Sequence, residues 1–218
     1  HDGSQAYYGA VYPVVQYLQS EHSSLKTMIF GLGIGTMICQ FRKQDAVTFV
    51  EIDQQVIDMA NNPALFTFLA DCPANTSIIK NDGRLALNQQ SDNTYDLLVM
   101  DAFSSDAIPV HLLTVEAFRL YQQKIRDDGV ILVNISNRHL NVLPVITAAG
   151  RELDLAVWHT RQSGDAKRGQ FASEWVLLTR NERLIASLLN RPNWRFVTDD
   201  NSLLWTDDYT NLVPLLKW

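Results

Sequence analysis

An α/β fold, with a mostly parallel sheet covered by helices on both faces, is predicted by three features of the sequence. Short β-branched runs alternate with amphipathic helical stretches along most of the chain. The first such run opens directly into a loop with three glycines, Gly31-Leu32-Gly33-Ile34-Gly35. The apolar run YDLLVMDAF, beginning at Tyr95, meets its first acid after the buried stretch at Asp101. Alternation at this spacing calls for right-handed crossovers and therefore parallel strands.

The elements follow in order. Residues 6–20 (AYYGAVYPVVQYLQS) predict an amphipathic entry helix, bent or started near Pro13. TMIFGL predicts the first strand, and TMICQFRK a helix after the glycine loop. AVTFVEID gives the second strand and QQVIDMA the next helix. SIIK at 77–80 gives a third strand, closed by the turn Asn81-Asp82-Gly83. After the fourth strand and a polar loop, Thr114 is the expected N-cap of VEAFRLYQQKI, where Phe118, Tyr121 and Ile125 share a face. Asp127-Asp128-Gly129 is expected to stop that helix and turn the chain into VILVNIS. A helix near 141–152, a strand LAVWHT, a loop at 163–170 and a strand EWVLLT complete the pattern. The 218 residues make one domain: an entry segment (1–24), a core (25–180) and a C-terminal appendage (181–218).

The composition is that of a folded globular protein, 46% hydrophobic and 19% charged. A net charge of −6 argues against nucleic acid, since no basic face is available to release phosphate counterions. It is compatible with a cationic small substrate. Cys39 and Cys72 fit no metal or redox spacing and are expected to be reduced core residues of a cytoplasmic protein. No apolar run approaches the ~20 residues of a membrane span. The chain begins at His1 rather than Met, which leaves room for an upstream segment, including a membrane anchor.

The glycines point to a nucleoside. In parallel sheets ligands bind at the carboxyl ends of the strands. Gly31, Gly33 and Gly35 follow the first strand, where missing side chains let the backbone approach a ligand. Glu51 ends the second strand twenty positions after Gly31, the offset at which an acid accepts hydrogen bonds from a ribose diol; Ile52 follows it. The spacing is G-x-G-x-G, which favours an adenosine carrier over a dinucleotide. Asp82-Gly83 is placed to meet an adenine amino group, and an ordinary Asp-Gly turn explains it nearly as well. Asp53 is better explained as a helix cap.

Asp101 is the candidate general base: a carboxylate closing an apolar strand is partly desolvated and must be paired or used. Asp106 lies five residues on, in a loop with Ser104, and is offered equally by turn capping. Two carboxylates suit a diamine, one removing a proton from the attacking ammonium while the other holds the distal one. Asp207 is a candidate lid residue contributing negative charge, and Asp208 fits a capped turn. Ser136 and Asn137 either line the pocket or cap the next helix. His111 and His139 are expected to be ordinary hydrogen-bonding residues, and no ligand set has metal spacing. Trp158, Trp175, Trp194 and Trp218 are expected to be packing residues.

These residues together resemble the spermidine synthase family of aminopropyltransferases, most closely the bacterial branch often fused to a membrane transporter-like region. The similar stretches are YYG at 7–9, GLGIGT at 31–36, VEID at 50–53, NDGRLAL at 81–87, YDLLVMDAFSSDAIPVHLLTVEAF at 95–118, DGVILVNISN at 128–137 and WTDDYTNLVPLLK at 205–217. The resemblance implies a Rossmann-like class I methyltransferase fold with seven strands. It implies decarboxylated S-adenosylmethionine as donor and a polyamine such as putrescine as acceptor, while the lack of ligands at metal spacing predicts no metal. By position it implies that Glu51 binds ribose, Asp82 binds adenine, Asp101 is the base, Asp106 holds the diamine and Tyr8 helps bind it. A homodimer and a fused membrane region upstream are the assemblies it allows. Ile34 stands where that family usually has an aspartate, which keeps S-adenosylmethionine-dependent methyl transfer as the alternative, with a non-catalytic nucleoside- or polyamine-binding module as a third.

Overall fold

The computed structural model describes residues 8–102, 108–137, 139–164, 171–198 and 203–217. Eight strands form one sheet: β1 (Lys26–Phe30), β2 (Ala46–Glu51), β3 (Asn75–Lys80), β4 (Tyr95–Met100), β5 (Ile125–Asn134), β6 (Ala156–Gln162), β7 (Ser173–Thr179) and β8 (Arg195–Phe196). Their order is β3-β2-β1-β4-β5-β7-β6-β8. The first five run parallel, and β7 lies antiparallel between β5 and β6. The expected seven strands are present; the eighth is a two-residue edge on β6 within the C-terminal segment.

Successive strands step outward from β1 through β2 to β3, then the chain returns to add β4 on the other side of β1. The β1–β4 junction is therefore the topological switch point, where crossovers diverge and leave a crevice at the strands' carboxyl ends. All six residues of β4 are buried, as expected for a strand covered on both faces. Helices α1 (Tyr12–Glu21), α2 (Gln54–Ala60) and α7 (Glu182–Leu189) cover one face, burying Val15, Leu18, Ile57 and Leu184. On the other face α4 (Gly83–Asn88), α5 (Val115–Lys124) and α6 (Leu143–Glu152) bury Leu87, Phe118, Tyr121 and Ile146. Each such side chain contributes roughly 1.5–3 kcal/mol of burial. The short helix α3 (Phe68–Asp71) packs beside the glycine loop.

Local chemistry explains the helix starts. Thr114 accepts the Ala117 N–H, Asp53 the Gln55 N–H and Asp82 the Leu85 N–H, so each caps the helix after it. Pro13 sits in the first turn of α1, where its missing N–H costs nothing.

Three expectations are corrected. The stretch after the glycine loop is a 3₁₀ turn (Thr36–Gln40) rather than a helix to residue 43. The buried Asp45 takes the Arg42 N–H at 2.8 Å and also binds its guanidinium, so that N–H is lost to a continuing helix. Asp127-Asp128-Gly129 does not stop α5. The helix ends at Lys124, the chain is extended from Ile125, and the acids bulge outward where pairing with β4 jumps from Tyr95↔Ile125 to Leu97↔Val130. Cys39 and Cys72 are not reduced but joined in a disulfide that ties the 3₁₀ turn to the end of α3. The sequence spacing could not reveal it, because the two residues meet only through the packing of these two short elements.

Candidate active site

A crevice of about 610 Å³ opens at the carboxyl ends of β1, β2, β3 and β4. Gly31, Gly33, Glu51, Ile52, Asp82, Gly83 and Asp101 all line it. Gly31 is required by geometry. Its φ is +94°, and a Cβ there would collide with the Asp101 carbonyl, so the loop passes directly against the end of β4. Gly83 is required by closeness: a Cβ would stand 2.6 Å from the Phe30 ring. Gly35, with φ +80°, caps the 3₁₀ turn and is not part of the crevice wall.

Glu51 holds the loop. One carboxylate oxygen accepts the Leu32 N–H at 3.1 Å and the other the Asp53 N–H at 2.9 Å. The remaining lone pairs are free to meet hydroxyl donors in the crevice. Ile52 is 68% exposed and gives the same wall an apolar surface. Asp82 caps α4 through Oδ1, while its Oδ2 lies 2.8 Å from Nε2 of His111, which also lines the crevice.

Asp101 is the chemical centre. Its N–H bonds to the Phe30 carbonyl, which fixes the residue just beyond the β1–β4 ladder. The Tyr8 hydroxyl donates to Oδ2 at 2.7 Å, and Asn134 at the end of β5 donates to Oδ1 at 2.7 Å. Desolvation raises its carboxyl to about 6, against the two hydrogen bonds, which pull it down. Near neutral pH it is a carboxylate able to take up a proton. Tyr8 also packs on Trp175, ring centroids 6.0 Å apart, which anchors the entry segment over β7.

Asp207 is placed elsewhere than the crevice wall. Both of its oxygens accept from Arg84, at 2.7 Å each, Thr114 donates to one of them, and its own N–H bonds to Glu116. The carboxylate expected as a lid charge is instead consumed in a clamp between the C-terminal segment, α4 and α5. Ser136 accepts the Glu174 N–H, and Asn137 accepts the His139 and Leu140 N–H groups, so both act in turns; they border a separate hollow beside Arg161 and Glu174. Asp106 and Ser104 lie outside the described residues. Asn134, His111 and Arg84 were not singled out by sequence as site residues. The signal for Asn134 was a polar residue inside the apolar run VILVNIS.

The family described as "Spermine/spermidine synthase domain" matches residues 15–151. A probable polyamine aminopropyl transferase of Bifidobacterium longum is 30% identical over 112 residues, half of this chain and 24% of its own length. A polyamine aminopropyltransferase of Vibrio vulnificus is 27% identical over 114 residues, covering 50% of this chain and 37% of its own. The chain thus spans a quarter to somewhat over a third of those relatives. Among solved structures, a probable spermidine synthase from Corynebacterium glutamicum superposes with a TM-score of 0.66 at 16% identity, covering 93% of this chain and 80% of that one. Human methyltransferase-like protein 13, in complex with SAH, superposes with a TM-score of 0.60 at 17% identity, covering 87% and 93%. Strand order and neighbours define a Rossmann-like domain of the methyltransferase-like fold. Within that class, the chain belongs to the spermine/spermidine synthase family of transferases.

Proposed function

We propose that this domain is an aminopropyltransferase that uses decarboxylated S-adenosylmethionine as donor and putrescine or a related amine as acceptor. The observation that carries this reading is Asp101, held between Tyr8 and Asn134 on the wall of the glycine-loop crevice. Glu51 is the ribose acceptor and Asp82 the acceptor for the adenine amino group. The donor supplies a methylene activated by an adjacent sulfonium.

Asp101 takes a proton from the acceptor's ammonium, which frees the nitrogen lone pair for attack on that methylene. As the C–N bond forms, the C–S bond breaks, its electron pair stays on sulfur, and methylthioadenosine leaves. The Asp101 carboxyl, poised at about 6, suits a base working near neutral pH. Tyr8 keeps one Asp101 oxygen oriented beside the incoming amine, and Asn134 keeps the other. Asp106, five positions on in the sequence, is assigned to the distal ammonium, with Ser104 and Tyr8 as further acceptor contacts. No metal enters this scheme. The acidic net charge of −6 suits a cationic acceptor.

Calorimetry with S-adenosylmethionine and with its decarboxylated form, followed by a product assay with putrescine, tests the proposal. Tighter binding of the decarboxylated donor, with spermidine formed, is the expected result. Preference for the carboxylated donor with methyl transfer would overturn it, and binding without turnover would leave a non-catalytic module.

A further inference from the structure

We propose that the hollow at the amino end of β5 is an oxyanion site, built for a phosphate or pyrophosphate group and separate from the catalytic crevice. The hollow measures about 340 Å³ and is bounded by the last turns of α5, the start of β5, the residue before β6 and the residue after β7. These elements meet at the opposite edge of the sheet from the crevice, because β5 begins there and the antiparallel β7 ends there. The wall carries three guanidiniums, Arg119, Arg126 and Arg180, against one carboxylate, Asp127. On a chain of net charge −6, the minority sign is gathered in one place.

Two of the arginines are fixed by the fold with donors left over. Arg126 donates through Nη1 to Oδ1 of the buried Asp96 at 2.7 Å, and its Nε and Nη2 meet no acceptor among the described residues. Arg180 donates through Nε to the Asp154 carbonyl at 3.2 Å and through Nη2 to the Leu153 carbonyl at 2.6 Å. Both acceptors are neutral, so they leave its charge uncompensated and its Nη1 unused. Arg119 is exposed and makes no hydrogen bond or ion pair with the described residues. The backbone is shaped to the same end. A Cβ on Gly129 would stand 2.9 Å from the Arg126 carbonyl, so the bulge folds tightly back and brings Arg126 and Asp127 to the rim.

A tethered guanidinium has lost rotamer freedom before any ligand arrives, so an oxyanion gains charge-assisted bonds at reduced entropic cost. Surface arginines that serve only solubility need no common hollow. Here three separate segments deliver them to one, whose wall also includes the buried apolar Ile125 and Leu155. Apolar neighbours lower the local dielectric and strengthen each such bond. The number of forks selects the ligand. A carboxylate offers two oxygens to three guanidiniums, whereas a phosphoryl group offers three strong acceptors. Of the opposing acids, Asp96 is already shared between Arg126 and the Lys26 N–H, which leaves Asp127 alone on the rim. The site uses none of the residues assigned to donor or acceptor, so it stands apart from the aminopropyl reading.

Calorimetric titration of the chain with pyrophosphate, in chloride buffers of controlled ionic strength, is the test. One site with a Kd of about 1 mM or tighter is expected, and it should weaken as chloride is raised. Arg119→Gln is the informative variant, because Arg119 holds no partner in the fold and the variant should melt as wild type does. It should bind about tenfold more weakly, the worth of one charge-assisted hydrogen bond. Arg161→Gln removes the same charge at the separate hollow beside Glu174 and should bind as wild type does. Absence of saturable binding overturns the proposal. Equal binding by Arg119→Gln and wild type also overturns it, since the anion would then sit elsewhere. An equal loss in both variants overturns it too, by reducing the effect to net charge.

Discussion

Asp101 and Asp207 both receive hydrogen bonds of 2.7 Å on both carboxylate oxygens, yet the two groups are driven in opposite directions. At Asp207 the Arg84 guanidinium grips both oxygens, with Thr114 adding a bond, and the carboxyl is pulled down to about 2. At Asp101 desolvation dominates, both donors are neutral, and the carboxyl is pushed up to about 6. Bond length therefore does not separate a proton-exchanging acid from a fixed anion. Donor charge and access to water do. The first arrangement fastens the C-terminal segment to α4 and α5; the second leaves a carboxylate whose proton can come and go beside a crevice.

The largest effect that sharpens this contrast is on turnover. Asp101→Asn is predicted to lower kcat by roughly 10²–10⁴-fold, the usual worth of a positioned base, while the protein stays folded. Its stability should also rise at neutral pH. A carboxyl lifted from 3.8 to about 6 favours the protonated folded state, so that contribution is full below pH 3.8 and is lost as pH climbs through 6. Above that, wild type carries an ionisation cost of at most about 3 kcal/mol, which Asn lacks. Thermal melts should show the variant more stable than wild type at pH 7.5, with the gap closing near pH 4. A variant that melts lower at both pH values would break the assignment of Asp101 as a desolvated acid.

Tyr8→Phe should act more mildly. It removes one donor that favours the carboxylate, so the rising limb of the rate–pH profile is predicted to move up by about one unit. Turnover should fall about fivefold at pH 6, approach a tenfold loss below about pH 5, and recover toward wild type above pH 8. A uniform loss at every pH would instead make Tyr8 a contact for the acceptor alone.

How much of this was legible in the sequence follows from which interactions are local. The individual strands and helices, the Asp53 and Thr114 caps and the glycine loop depend on neighbours within a few residues, and periodicity exposes them; the alternation of those elements then implies the parallel sheet. Glu51 and Asp101 were found because each closes a strand, and strand ends in this topology meet at one edge. Asn134, His111 and Arg84 escaped because their roles lie in partners 33, 29 and 123 residues away. The Cys39–Cys72 disulfide, 33 residues apart, escaped for the same reason. The early end of the turn after Gly35 was hidden by Asp45, whose capture of the Arg42 N–H no helix propensity registers. Asp207 was noticed as an acid near the chain's end, but nothing local in Trp205-Thr206-Asp207 announces an arginine on α4.

The smallest predicted effect falls on Asp207 and tests the other half of the contrast. Asp207→Asn keeps the shape and removes the charge that Arg84 grips. The pair is partly exposed, with 44% of the Asp207 side chain open to solvent, so screening limits its worth to about 1 kcal/mol. Because the folded carboxyl is depressed to about 2, its contribution is full above pH 3.8 and fades as pH falls toward 2. Melts of wild type and variant should therefore differ at pH 6 and converge in strong acid, the reverse of the Asp101→Asn pattern. The chemical step should be nearly untouched, since neither oxygen of Asp207 faces the crevice in this arrangement. A variant with wild-type stability and no turnover would break the contrast, because Asp207 would then have to leave Arg84 to meet the substrate.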